Sequence, residues 1–183
     1  MHELHPDVKK IIITEEQLKQ RVHELGQEIT RDYQGEEIVM VSVLRGAAIF
    51  MADLVREIDL CVEMDYMAIS SYGGGSRSSG VVRILKDIDT DIRGRHVVIA
   101  EDILDSGLTL KYTMNLLKAR NPKSLEVVTL LRKETPTPAH VDCRYTGFSV
   151  PDEFIVGYGL DYAERYRNLP YIGTLQDSIY NHE

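Results

Sequence analysis

Between Val97 and Leu110 the chain reads VVIAEDILDSGLTL, a stretch in which residue types and their order together could do chemistry. The apolar run Val97–Ala100 predicts a buried strand, and two carboxylates, Glu101 and Asp102, follow it directly. Ligands of open α/β sheets bind beyond the carboxyl ends of the strands, so the pair stands where it could be used. Successive strand side chains face opposite ways. The two acids would therefore touch different parts of one ligand or its metal, for instance two hydroxyls of a ribose. Asp105-Ser106-Gly107-Leu108-Thr109 then turns tightly into a helix. Free N–H groups and the positive end of the macrodipole favour an anion at such a turn. Gly107 lets the backbone come close, and the Ser106 and Thr109 hydroxyls can add donors. The segment reads as a cradle for a monophosphate, and it follows neither the GxxxxGK(S/T) nor the GxGxxG order. Taken singly, an acidic pair is ordinarily a solvated strand end and Asp-Ser-Gly an ordinary helix-capping turn. The contiguous order of all the parts carries the functional reading.

Several elements must position this segment. Thr14 and Gln17 form a capping box, and Leu18, Val22, Leu25 and Ile29 repeat at helical spacing toward Gly35. Ile38–Leu44 predicts a buried strand that turns at Arg45-Gly46 into a helix carrying Ala48, Met51, Ala52, Val55 and Ile58. Leu60–Ser70 predicts a strand with Val62, Met64, Tyr66 and Ala68 on one face and Glu63, Asp65 and Met67 on the other. Ser71–Gly80 holds four Gly and four Ser, the composition of a mobile loop, and Val81–Leu85 reads as strand again. After the strand at His96–Ala100 an acidic loop, Glu101–Gly107, leads to a helix that Asn121-Pro122 stops. Leu125–Leu131 is another buried strand, Pro136 and Pro138 fall in a loop, and Val141–Phe148 reads as half-buried strand. This alternation predicts an α/β fold: a central parallel sheet flanked by helices, with antiparallel pieces at its margins.

The 183 residues fit one domain, and the 43% hydrophobic fraction can fill its core. A formal charge of −8 repels nucleic acid and anionic membrane, so a phosphorylated ligand needs a local device that inverts the field. Apolar runs are far shorter than a membrane span, and the first residues lack the pattern of a secretory signal. Cys61 and Cys143 form no CxxC pair and the six histidines are scattered, which points to a reduced cytoplasm and no zinc site. Met1–Lys10 is expected to be disordered or to cover an interface.

In its order of strand, acids and anion loop, Val97–Leu110 resembles the ribose 5-phosphate motif of the type I phosphoribosyltransferases. Leu44-Arg45-Gly46, Ser71-Tyr72, Leu130-Leu131-Arg132-Lys133 and the block VPDEFIVGYGLDYAERYRNLPYIG at Val150–Gly173 narrow it. Together they resemble the bacterial hypoxanthine-guanine branch of that family, over Glu37 to Leu175. The resemblance implies one phosphoribosyltransferase domain over 1–183, with a core at about 37–135 and a small hood formed by the terminal segments. It implies transfer of the 5-phosphoribosyl group from 5-phosphoribosyl pyrophosphate (PRPP) to hypoxanthine or guanine, giving IMP or GMP plus pyrophosphate, with Mg2+.

By the same resemblance, Glu101 and Asp102 meet the ribose hydroxyls and magnesium, and Asp105 is the catalytic general base that takes a purine ring proton. Ser106, Gly107, Leu108 and Thr109 hold the 5-phosphate, Leu108 standing where some relatives have Lys. Arg45, Gly46, Ser71, Tyr72 and Arg167 match pyrophosphate-binding positions, and a non-proline cis peptide is expected after Leu44. Lys133 donates to the purine 6-oxo group, which rejects adenine; Phe154 stacks on the base and Ile155 offers it backbone. Asp161 joins this purine side and matches a carboxylate of a second magnesium. The loop 71–80 is a lid that keeps water from an oxocarbenium-like transition state, although its composition equally suits a linker. A homodimer or homotetramer is implied, with no nucleic acid or membrane partner. Xanthine, adenine or pyrimidine phosphoribosyltransferases, an RNA-binding regulator on the same fold and a silent PRPP sensor are the rival readings.

Overall fold

The computed structural model describes residues 4–71, 82–134 and 141–180. Tyr72, nearly all of the expected lid, and Pro136 and Pro138 lie outside these residues. Ser71 ends a strand.

The capping box forms as expected. Gln17 N–H donates to Thr14 Oγ1 at 3.2 Å and Thr14 N–H to Gln17 Oε1 at 2.9 Å, starting α1 (Glu15–Asp32). Its apolar stripe, Leu18, Val22, Leu25 and Ile29, is buried. Then come β2 (Ile38–Leu44), α2 (Ala47–Arg56), β3 (Val62–Ser71), β4 (Val82–Lys86), β5 (His96–Leu104), α3 (Leu108–Lys118), β6 (Ser124–Glu134) and β7 (Tyr145–Pro151). The six-stranded sheet has the order β4-β3-β2-β5-β6-β7; all its neighbours pair parallel except β4, which is an antiparallel edge. Helices α1 and α2 pack in the core on one face, with Met40, Val98 and Val128, while Leu110 and Leu117 of α3 pack with Val41, Ile99 and Val127 on the other. Burial on both faces explains why β2, β5 and β6 read as continuous apolar runs.

A second, three-stranded antiparallel sheet joins the two ends of the chain: β1 (Val8–Ile13), β9 (Ile172–Leu175) and β8 (Ile155–Val156), followed by the short α4 (Asp177–Tyr180). Of the two alternatives for Met1–Lys10, disorder does not hold at Val8–Lys10, which pair with β9, Val8 being buried against Val156, Tyr171 and Leu175.

The strand β3 packs on both faces: Val62 and Tyr66 lie half-buried against the core that holds α1 and α2, while Met67 is fully buried and Asp65 buried on the other face, and Met64 is exposed. A polar anchor draws Asp65 in. The Asp65 carboxylate accepts backbone N–H bonds from Tyr66 at 2.7 Å, Asp89 at 2.8 Å and Thr90 at 2.9 Å, with Lys86 Nζ at 3.5 Å. Burial by itself would raise the Asp65 pKa, but the Thr90, Tyr66 and Asp89 donors prevail and hold it at about 2. A depressed carboxylate pKa stabilises the fold above the unfolded-state value and loses that contribution as pH falls toward the folded one. Asp65→Asn is therefore expected to cost about 2 kcal/mol at neutral pH, and the gap to the parent should close between about pH 4 and pH 2. Urea unfolding of both proteins across that range checks this, and a gap independent of pH would refute it.

Candidate active site

Strand order reverses at β2. The connection through α2 runs to β3 on one side, while β5 lies on the other, continuing through α3 to β6. The carboxyl ends of β2 and β5 consequently flank a crevice at the topological switch point of the sheet. Register brings Ser42 beside Ala100. The next residues of each strand are the Leu44-Arg45-Gly46 turn and the Glu101-Asp102 pair. The Leu44–Arg45 peptide is cis, as expected.

Close packing explains two glycines here. A Cβ on Gly46 would lie 1.8 Å from Asp102 Oδ2, and one on Gly159 would lie 2.1 Å from the Gly46 carbonyl oxygen. Gly159 also has φ +103°, a conformation that other residues rarely adopt. The C-terminal segment is thereby laid directly on the β2 turn.

Most of the expected site residues converge. Arg45 and Gly46, Glu101 and Asp102, Asp105 to Thr109, and Asp161 with Arg167 line one cavity of about 400 Å³. Glu101 and Asp102 lie within β5 rather than in a loop, a correction with a clear cause: β5 keeps pairing with β6 through Glu101↔Thr129, Ile103↔Leu131 and Leu104↔Arg132. Burial, and then the neighbouring Asp102, push the Glu101 pKa up to about 8. Burial raises that of Asp102 as well, opposed by the Ile103 N–H, which donates to Oδ1 at 2.8 Å, and by Arg167. This acid pair is short of positive charge.

Among the described residues, no three His, Cys, Asp or Glu side chains are grouped to hold a metal ion. The described residues therefore build no full cage by themselves. Desolvated carboxylates are nonetheless the hard oxygen donors that magnesium takes, and such an ion completes its shell with substrate phosphates and water. Glu101 and Asp102 fit an ion of that kind. Asp161 lies 3.0 Å from Arg167 Nη2, whose Nη1 donates to the Gly159 carbonyl at 2.8 Å. Arg45 meets Glu164 at 2.8 Å.

The cradle has the geometry its composition implies. Gly107 takes the left-handed conformation, φ 72°, and no side chain caps the start of α3. Its first turn carries no acid. The N–H groups there and the helix dipole are thus directed at the cavity without a protein carboxylate competing for them.

Lys133 lies inside β6, whose pairing with β7 carries it past the predicted end of the strand, Lys133↔Val150. Its Nζ stands 3.3 Å from Asp105 Oδ2 and 3.4 Å from Asp152 Oδ1. Phe154 and Ile155 lie outside the residues lining the cavity. Phe154 is 38% exposed, and Ile155 is buried in β8 opposite Thr174. The Phe154 ring already has aromatic company: Tyr162 edge-on at 5.3 Å and Tyr180 stacked at 5.2 Å.

The phosphoribosyl transferase domain family matches residues 10–163 of this chain. The chain belongs to the phosphoribosyltransferase family. Its relatives include a hypoxanthine-guanine phosphoribosyltransferase of Bacillus subtilis, 52% identical over 95% of this chain and 97% of the relative. A crystal structure of a hypoxanthine phosphoribosyltransferase from Staphylococcus aureus superposes with a TM-score of 0.93 at 48% identity, covering 97% of both chains. The bifunctional protein TilS/HprT of Listeria monocytogenes is 50% identical over 97% of this chain, which spans 28% of that protein's length.

Within this member of the family, several residues at the cavity were not marked by the sequence. Leu160 lines the cavity beside Asp161. Gly159 makes the close approach to Gly46, and Asp152 shares Lys133 with Asp105. The paired glycines of Gly157-Tyr158-Gly159 were the available signal for a backbone brought against another. Nothing local marks Asp152.

Proposed function

We propose that the protein is a purine-salvage enzyme that transfers the 5-phosphoribosyl group of PRPP to hypoxanthine or guanine, releasing pyrophosphate and forming IMP or GMP. The observation that carries this reading is Lys133 Nζ at 3.3 Å from Asp105, which itself lines the cavity together with the α3 cradle. A 6-oxopurine needs both a donor to its oxygen and an acceptor for its ring proton on the same side of the ribose carbon. Lys133 supplies the first and Asp105 the second. Adenine offers an amino group where Lys133 requires an acceptor, so the pocket rejects it.

Residues 106–109 hold the 5-phosphate by backbone N–H groups and the helix dipole, and Glu101 and Asp102 hold the ribose hydroxyls. With a cation bound to keep it ionised, the pair would also stabilise the cationic sugar of the transition state. Glu101 and Asp102 would hold magnesium, with Asp161 toward the pyrophosphate side, and the ion would supply positive charge to the pyrophosphate leaving group. Arg45, Gly46 and Arg167 bind the pyrophosphate end, together with Ser71 and Tyr72. Phe154 stacks on the base and Ile155 gives it backbone. Supply of a charged sugar phosphate places the reaction in the cytoplasm, and the enzyme acts as a homodimer or homotetramer.

Three bases, hypoxanthine, guanine and adenine, offered separately with PRPP and magnesium test the reading. Hypoxanthine and guanine are expected to be converted, adenine not at all, and EDTA in excess should lower the rate by at least about 100-fold, with recovery on adding magnesium. Turnover of adenine, or a rate indifferent to chelator, would remove the assigned roles of Lys133 or of the carboxylates respectively.

A further inference from the structure

Phe154 does not stand alone at the base site. The Tyr180 ring lies nearly parallel to it, 23° between planes and 5.2 Å between centroids, while Tyr162 meets it at 89°. With 38% of Phe154 still exposed, one ring face is occupied and surface remains for a ligand. Tyr180 is itself braced. Its hydroxyl donates to Asp177 Oδ1 at 2.9 Å, and Asp177 lies 3.3 Å from Lys9 Nζ of β1. The Phe154 backbone is tied to the same unit, for Leu175 N–H donates to the Phe154 carbonyl at 3.1 Å, and Gln176 N–H reaches the Asp7 carbonyl at 2.9 Å. Both ends of the chain thus converge behind one aromatic ring.

We infer that Tyr180 is a positioning residue for the purine: its ring backs Phe154 and holds it in the orientation on whose opposite face the base stacks. This rests on the assignment of Phe154 to the base. Stacked rings prefer a narrow set of offsets, so a Phe held on one face presents the other at a fixed height and tilt. Without the backing ring Phe154 rotates among alternatives and the base must select one of them, which weakens base binding without touching the sugar-phosphate cradle.

Tyr180→Ala is expected to raise KM for hypoxanthine and guanine by about five-fold, the effect of losing one ring contact, with kcat and the KM for PRPP held within about two-fold. Tyr180→Phe keeps the stack and loses only the hydroxyl bond to Asp177, so it should behave as the parent. Tyr180→Leu, which keeps apolar bulk but has no ring face, should resemble Tyr180→Ala and guards against a variant that simply fails to fold. Phe154→Leu separates the two readings. If it leaves base KM unchanged, the base assignment of Phe154 falls. If it raises base KM while Tyr180→Ala does not, only the role of Tyr180 falls. Equal losses in Tyr180→Ala and Tyr180→Phe, or a parallel rise in the KM for PRPP, would also overturn it.

Discussion

Asp105→Asn should lower kcat by about 10²- to 10⁴-fold, the range for losing a general base, with PRPP affinity changed by no more than about two-fold. Asn has nearly the shape of Asp and keeps a carbonyl oxygen for Lys133, 3.3 Å away in the parent. It cannot accept a proton. The proposed phosphate cradle beside it rests on the uncapped start of α3, which the substitution leaves in place. Steady-state turnover and calorimetric titration with PRPP in magnesium separate the two effects. A kcat within about three-fold of the parent would place the proton on another acceptor or on water.

Gly46→Ala is expected to lower kcat/KM for PRPP by more than about 100-fold, since a displacement of one ångström in a positioned group costs that much. Gly46 has φ −56° and ψ −49°, which alanine adopts readily, so the backbone raises no objection. Space does. The added Cβ would meet Asp102 Oδ2 at 1.8 Å. That oxygen is the end of a side chain, and Asp102 can swing aside and let the protein fold. Stability should then fall by less than about 1 kcal/mol while the ribose ligand is displaced. Thermal unfolding in the absence of substrate, set beside PRPP kinetics, checks both halves. A stable and fully active Gly46→Ala would mean that Asp102 does not hold the sugar from its position in this structure.

These two positions differ in how they could be read from the sequence. Asp105 belongs to a contiguous order of strand, acids, turn and helix, and the meaning of such a segment depends on neighbours within a few residues. The same holds for the Thr14–Gln17 capping box and for the apolar runs of β2, β5 and β6, whose burial on both faces leaves a local trace. The requirement for glycine at 46 comes from Asp102, on a different strand, and is invisible until β2 and β5 lie side by side.

The remaining differences have the same origin. Alternation in Leu60–Ser70 separates two faces but does not mark Asp65 for burial, which three backbone N–H groups, two of them from residues 89 and 90, bring about. The strand β1 carries little signal of its own, because it is completed by β9 across most of the chain length. Lys133 looked like a strand end until β7 extended the pairing past it. Tyr180 shows no pattern in the sequence that would connect it to Phe154.

The sequence by itself determined the three long helices, the buried runs of the parallel sheet and the tight turn before α3, since turn geometry, strand burial and helix capping act over a few residues. Only the tertiary structure decided which carboxylate shares Lys133, which glycine must stay bare and which ring backs Phe154. Those contacts join residues far apart in the chain, where close packing rather than local preference selects the partner.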